Sequence, residues 1–374
     1  MVAGKRRAPS IKDVARKAGV SVSTVSRYLN GGRNLSDGKR KVIAEAVKDL
    51  NYRPNTIARA LVSNEFQSIA VIATDISLYG SMQLVQGIEL AARRRHYLVT
   101  VTLVGNGHEM VKETVDQLIQ NRPVGCIILD VERSSLLHSF AGYIAQSLPT
   151  VIVDEADLAS GSLLIGAYEG GYQITKYLLR LGHKTVFHVS IPENGNKYTR
   201  SLGWRRALEE VGAPIEEPLS CTWDFRKAEQ IGRYLCSFPE VTAIFAGNDE
   251  VAAGVIRGIL LEGKKVPEDV SVAGFDGNPI GEVTVPSITT WRQNFQGIGA
   301  KAVERLAHWP DSDDRPEANG SKSGKVDDGT HKASEEEEPD LDQLQQSRAM
   351  GDEQVSSRLI IRESTAPPQS GRGR

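Results

Sequence analysis

Cysteine is scarce in this 374-residue chain, and the three present, Cys126, Cys221 and Cys236, are too scattered for a disulfide framework or a CxxC metal pair. They read as small apolar packing residues in a reducing compartment. Long apolar runs are missing too. Nowhere do about eighteen uncharged apolar residues follow one another, which excludes a helical membrane span. The start, Met1-Val-Ala-Gly-Lys-Arg-Arg7, is basic but no apolar stretch follows it, so no secretory signal is expected and the chain reads as cytoplasmic, with no membrane partner.

Catalytic signatures are equally absent. There is no P-loop, no GxSxG elbow and no HExxH, and the seven histidines are dispersed, none near a cysteine or second histidine at ligand spacing. Gly105-Asn-Gly107 follows a strand pattern, but Met110 stands where a dinucleotide fingerprint needs a third glycine. These absences argue against an enzyme, and no catalytic residue, metal site or cofactor is expected.

The chain also has little net charge, −2, which taken alone would speak against a nucleic-acid partner. That value averages two opposed segments. Residues 1–62 carry fourteen Lys/Arg against four Asp/Glu, the electrostatic footprint of a polyanion binder. Residues 311–353 carry fourteen Asp/Glu against five Lys/Arg and have little apolar content, so 311–354 is expected to be an acidic, disordered insertion.

The basic segment has order of its own. Ile11, Val14, Ala15 and Ala18 make one helical apolar stripe; Val22, Val25, Ser26 and Leu29 make a second. Gly19 sits where a helix end wants positive φ, and Ser21 is a candidate N-cap. Ser23, Thr24, Ser26, Arg27 and Asn30 give the second helix an outward face of short hydrogen-bonding side chains, able to approach phosphates and base edges. A third helix is expected over 36–50. Pro54 can stop it and Asn55 can cap a two-turn helix that is too short to be stable alone.

Beyond residue 63, short apolar runs alternate with helical patterns, the signature of parallel sheets covered by helices on both faces. Strands are expected at 69–74, 98–104, 126–129 and 150–153, with helices at 82–95, 111–121 and 135–146. A second series begins near residue 163, with strands at 185–189, 243–246 and 270–275 and helices at 169–181, 199–211, 226–237 and 249–261. Two such lobes imply a cleft at the carboxyl ends of their strands. Asp154, Asn248, Asp249 and Asp276 stand at strand ends, where each is also a plausible helix or turn cap.

The motifs Ile11-Lys-Asp-Val-Ala15, Val20-Ser-Val-Ser-Thr-Val-Ser-Arg27, Leu29-Asn30 and Tyr52-Arg-Pro-Asn55 together resemble the DNA-binding end of the lactose-repressor (LacI/GalR) family, and the likeness continues through most of the chain. The resemblance implies an α/β protein with an N-terminal helix-turn-helix head (1–53) and a hinge helix (54–63). A two-lobed, periplasmic-binding-protein-like core of two doubly wound parallel sheets (64–363) follows. Its first lobe would take in 64–162 and 293–310, its second 163–292 and 355–363, with 364–374 a disordered tail. It further implies that Val22, Ser23 and Arg27 read bases, that Ser10, Thr24, Ser26, Asn30 and Tyr52 belong to the DNA-contacting set, and that Asn55, Ala58 and Leu61 lie in the hinge, Leu61 wedged into the minor groove.

By the same likeness Tyr79, Asp154, Arg200, Trp223, Asn248, Asp276 and Phe295 form the effector pocket. A sugar suits such a set, since planar polar groups hold hydroxyls and aromatic walls cover C–H faces. From the residues alone, Arg200 could equally be a helix-surface ion pair and Trp223 a plain core residue. Two departures stand out: Gly277 follows Asp276 where the family usually shows a second acid, and Ile76-Ser-Leu-Tyr-Gly80 would place Tyr79 and Met82 near the cleft mouth. The expected function is a transcriptional repressor whose homodimer binds pseudo-palindromic double-stranded operator DNA under control of a small-molecule effector. A sugar-binding protein of a transport system would share the core, but would carry an export signal and no basic head. An enzyme with a fused DNA anchor would need a nucleophile or metal set.

Overall fold

A computed structural model describes residues 9–29, 35–52, 68–105, 107–129, 135–154, 163–164, 166–192, 199–309 and 357–369. The expected hinge helix over 54–63, Asn30 and the insertion 311–354 lie outside the described residues. The chain divides into two compact units, 1–66 and 67–374.

In the first unit, α1 (Ile11–Ala18), α2 (Val22–Leu29) and α3 (Asp37–Asp49) pack around Val14, Ala15, Val25, Ile43 and Ala46. Gly19 ends α1 in the left-handed region at φ 64°, and the Val20 amide closes the turn on the Ala15 carbonyl. Ser21 Oγ accepts from the Thr24 amide at 3.2 Å, so it caps α2. The apolar stripe of α2 needs correction, because Val22 is exposed and Val25 alone is fully buried. The third helix stops before Pro54 is reached. Asn51 turns left-handed at φ 44° and the Tyr52 amide donates to the Val47 carbonyl.

The second unit holds two lobes. Its elements run β1 (Ser68–Ala73), α4 (Tyr79–Arg94), β2 (Leu98–Leu103), α5 (His108–Gln120), β3 (Gly125–Leu129), α6 (Ser135–Ala145), β4 (Thr150–Asp154) and β5 (Leu163–Leu164) in the first. These strands form a parallel sheet in the order β2-β1-β3-β4-β5. Strand alternation divides its core cleanly. Ile69 and Val71 pack with Leu84 and Ile88 of α4, whereas Ala70 and Ile72 pack with Val111 and Val115 of α5.

The second lobe continues with α7 (Ala167–Arg180), β6 (Phe187–Ser190), α8 (Arg200–Glu209), β7 (Leu219–Ser220), α9 (Phe225–Leu235), β8 (Ala243–Ala246), α10 (Asp249–Leu261), β9 (Ser271–Asp276), α11 (Ile280–Val283) and β10 (Thr289–Arg292). The chain then returns to the first lobe as α12 (Phe295–Ala307), which packs against α4, and ends at β11 (Arg358–Ile360) beside β10. The second sheet runs β11-β10-β9-β8-β6-β7. Ile244 and Val272 face α9 and α10; Phe245 and Phe275 face Ile174, Leu178 and Trp204 of α7 and α8.

Three expectations change. Leu163–Leu164 pairs with β4, so the second lobe starts after it and not at 163. The second sheet is not wholly parallel, since β11 runs antiparallel to β10 as an edge strand. Nor are residues 364–369 a disordered tail. Ser364 and Thr365 are buried, Ser364 Oγ donates to the Val272 carbonyl at 2.6 Å, and the Ala366 carbonyl pairs with His183 Nε2 at 3.0 Å. The segment thus covers the start of β9, whose backbone needs those partners.

Candidate functional site

The two sheets end at one cavity of about 230 Å3. Ser77, Leu78, Tyr79, Gly80 and Ser81 reach it after β1, Ile191 and Pro192 after β6, Trp223 and Phe225 after β7, Asn248 and Glu250 after β8; Asp276 ends β9 and Phe295 starts α12. Every one follows a strand's carboxyl end or starts the helix beyond it, the place where open α/β sheets bind ligands.

Arg200 is the first residue of α8, presented by Thr199, whose Oγ1 accepts from the Leu202 amide at 3.3 Å. α8 comes this close to α7 because Gly171 has no Cβ; one there would run into the Arg200 carbonyl oxygen. The Arg200 guanidinium donates to the Gly247 carbonyl, lies 3.8 Å from Asp276 Oδ1 and covers the Phe275 ring at 4.4 Å from its centroid. Behind Arg200 lies His188, fully inside the lobe. Its Nδ1 pairs with the Phe245 carbonyl at 2.9 Å and its Nε2 with Ser201 Oγ at 2.8 Å, and the ring stacks on Phe245.

Asp276 takes φ 87°, a conformation costly for a non-glycine residue and held by its surroundings. Its Oδ1 accepts from Gln293 Nε2 at 3.0 Å. Burial raises its pKa above the ordinary aspartate range, and the Arg200 charge pulls the other way. Gly277 follows at φ 75°, and a Cβ there would strike the Arg292 side chain, which explains why the expected second acid is missing.

Asn248 combines both readings open to it: Oδ1 caps α10 by accepting from the Val251 amide at 2.8 Å, which leaves Nδ2 as its remaining polar group at the cavity. Asp249 is completely buried and points elsewhere. Its Oδ2 accepts from the Asn278 amide, and burial pushes its pKa well above the ordinary aspartate value.

Tyr79 spans the lobes, its hydroxyl 3.5 Å from the Gly277 carbonyl and its ring edge-on to Phe295 at 6.2 Å. Burial raises its pKa, with the Asp276 charge adding to it. Six of the seven expected pocket residues therefore line one cavity. Asp154 does not; it is fully buried at the end of β4. Met82, one turn into α4, points to solvent and is no part of the lining. Phe225 was missed, and Glu250 ends the motif Ala246-Gly-Asn-Asp-Glu250, whose positions the family likeness places at the effector, without being singled out itself. Glu250 stands two residues after a cap that explained the segment by itself, and Phe225 follows the N-cap Asp224. Aromatic residues on both sides of that cap were the available signal.

In the first unit Val22, Ser23 and Arg27 lie exposed on α2, Thr24 and Ser26 are half-buried, and Ser10 is held at the start of α1 by its Oγ bond to Asp13 Oδ2 at 2.6 Å. Tyr52 departs from expectation. It belongs to the core of the unit with Val14, Ala15, Val25, Ile43 and Ala46, and about a tenth of its surface is left. Asn55, Ala58 and Leu61 lie outside the described residues.

Residues 10–55 match the family model described as bacterial regulatory proteins, lacI family, and residues 175–324 match a periplasmic binding protein-like domain. The chain is 31% identical over 308 residues to the HTH-type transcriptional repressor PurR of Pasteurella multocida, covering 79% of this chain and 90% of that one. It is 30% identical to catabolite control protein A of Priestia megaterium, over 80% of this chain and 92% of the relative, and 30% identical to the ribose operon repressor of Escherichia coli, over 80% and 92%. Among solved structures, the lac repressor dimer bound to operator and the anti-inducer ONPF shares the fold at TM-score 0.75, with 24% identity over 96% of this chain and 100% of that chain.

Proposed function

The chain belongs to the lacI family of bacterial regulatory proteins, and we propose from that premise that its homodimer binds a pseudo-palindromic operator and that a small sugar in the interlobe cavity controls this binding. It is a DNA-binding transcriptional repressor under small-molecule control and not an enzyme. The observation that carries the finer reading is the cavity itself: a buried arginine, a carboxylate and an amide converge there beside Trp223, Phe225, Tyr79 and Phe295, the combination that holds hydroxyls while covering C–H faces. About 230 Å3 lies below the ~300 Å3 of pockets for drug-sized ligands, which favours a sugar of one or two rings over a longer oligosaccharide.

A second copy is supported by unpartnered apolar side chains. Leu98 and Leu103 stand exposed on the edge strand β2, and Leu260, Leu261, Val283 and Val285 stand exposed around α10 and α11. On the first unit, Val22, Ser23 and Arg27 are the base-reading residues of this proposal, with Ser10, Thr24 and Ser26 beside the DNA backbone. The segment 54–63 links input and output: the sugar binds one lobe arrangement better, and that arrangement sets whether the two segments fold on DNA. The transport-protein reading accounts for the core but not for the lacI-family match over 10–55.

The test is binding of the full chain to inverted-repeat duplexes against salt, with sedimentation of the complex. Two chains per duplex and a steep fall of affinity with salt support the reading. One chain per duplex, or equal affinity for a scrambled duplex, contradicts it.

A further inference from the structure

Among the described residues, the charges that line the cavity are one cation and two carboxyl groups, those of Arg200, Asp276 and Glu250. Arg200 is matched by Asp276 at 3.8 Å. Arg292, whose charge reaches the Tyr79 hydroxyl, is held by Glu282 at 3.0 Å. Among the described residues Glu250 has no ion-pair partner. Its Oε1 accepts from Asn278 Nδ2 at 2.6 Å, while its Oε2 is buried and makes no hydrogen bond.

Asn278 does not leave Glu250 free to turn away. Its amide donates to Asp249 Oδ2, and its Oδ1 accepts from the Ile280 amide at 3.0 Å. Anchoring Asn278 would account for Oε1 alone. A buried acceptor without a donor is unfavourable, so Oε2 calls for a donor from whatever fills the cavity.

We propose that Glu250 selects the effector: Oε2 accepts a hydrogen bond from a hydroxyl of an uncharged sugar and turns away a phosphate or carboxylate at that end. The inference rests on the sugar reading of the cavity. A hydroxyl donating to a carboxylate makes a charge-assisted bond. An anion brought into the same small space would lose its hydration beside a carboxylate, and Arg200, the one cation among the described lining residues, already faces Asp276.

The experiment uses the full-length chain near pH 7.5, with thermal shift followed by calorimetric titration. The probes are neutral pentoses, hexoses and disaccharides together with the 6-phosphates and uronic acids of the same hexoses. The expected result is that a neutral hexose raises Tm and binds at least tenfold more tightly than its 6-phosphate or uronate. Glu250→Gln should weaken the neutral sugar about tenfold to a hundredfold and narrow the gap to the anionic counterparts.

An anionic sugar that binds as tightly as its neutral counterpart overturns the inference and leaves the sugar reading standing, as does unchanged neutral-sugar affinity in Glu250→Gln. No shift with any probe removes the sugar reading and this inference with it. Should Glu250→Gln fold poorly, the paired comparison on the wild-type chain still decides.

Discussion

Acidification should remove the stability that depends on His188 staying neutral, and the size of that contribution follows from its surroundings. His188 is buried between Phe245 and Trp204, and burial lowers its pKa to about 4 from an ordinary 6.5, with the Arg200 charge acting in the same direction. Between those values the unfolded chain binds a proton that the folded chain refuses, so stability falls as pH falls through the window. The loss amounts to about 2 kcal/mol at pH 5 and about 3 kcal/mol at pH 4. Asp249, Glu250 and Asp276 work the other way. Burial raises their pKa values, and a carboxyl that is easier to protonate when folded gains stability as pH falls. The measurement must therefore isolate His188. Urea unfolding of the wild type and of His188→Gln, which keeps a donor and an acceptor but does not titrate, at pH 7.5, 6 and 5 gives two stability curves. Their difference should shrink by about 2 kcal/mol between pH 7.5 and 5. Parallel curves would refute the reasoning.

Gly171→Ala should push the first turn of α8 away from α7 and weaken sugar binding about tenfold or more while operator affinity without sugar is kept, measured by titration of both ligands. Ile43→Ala empties a fully buried site in the small head and should cost about 2–5 kcal/mol there, abolishing DNA binding at 37 °C while the sugar-induced Tm shift of the larger unit persists. Arg27→Ala should reduce operator affinity and flatten its salt dependence, read from binding isotherms at several ionic strengths. Deleting 311–353 should strengthen nonspecific DNA binding at low salt if that acidic stretch competes with phosphates for the basic head, and unchanged binding would remove that role.

What could be read from the sequence was whatever local chemistry decides. Gly19 and Ser21 announced the turn between α1 and α2 because a left-handed end and an N-cap depend on neighbours in the chain. The α10 helix is found at Asp249–Leu261, as its pattern and cap indicate. Val22 was misplaced by its apolar character alone, since two turns carry too few residues to fix which side of a stripe is buried. β5 and β7 span two residues each, too short to show any period, and Thr289–Arg292 reads as polar although the residues packed above it bury all but its last residue.

In the cavity, motif positions located Arg200, Asn248 and Asp276, yet no pattern in the chain tells that Asp154 is fully buried at the end of β4 and absent from the described lining. Glu250 was not singled out within its motif because its orientation depends on Asn278, twenty-eight residues away.

The most direct test of the account is linkage between the two ligands. A duplex selected from a random pool by the full chain is titrated with protein in the absence and presence of the neutral sugar that raises Tm most. The account predicts a change in operator affinity of about 5-fold to 150-fold, and an equal change in sugar affinity when the duplex is bound. A sugar that binds tightly and leaves operator affinity unaltered would contradict it.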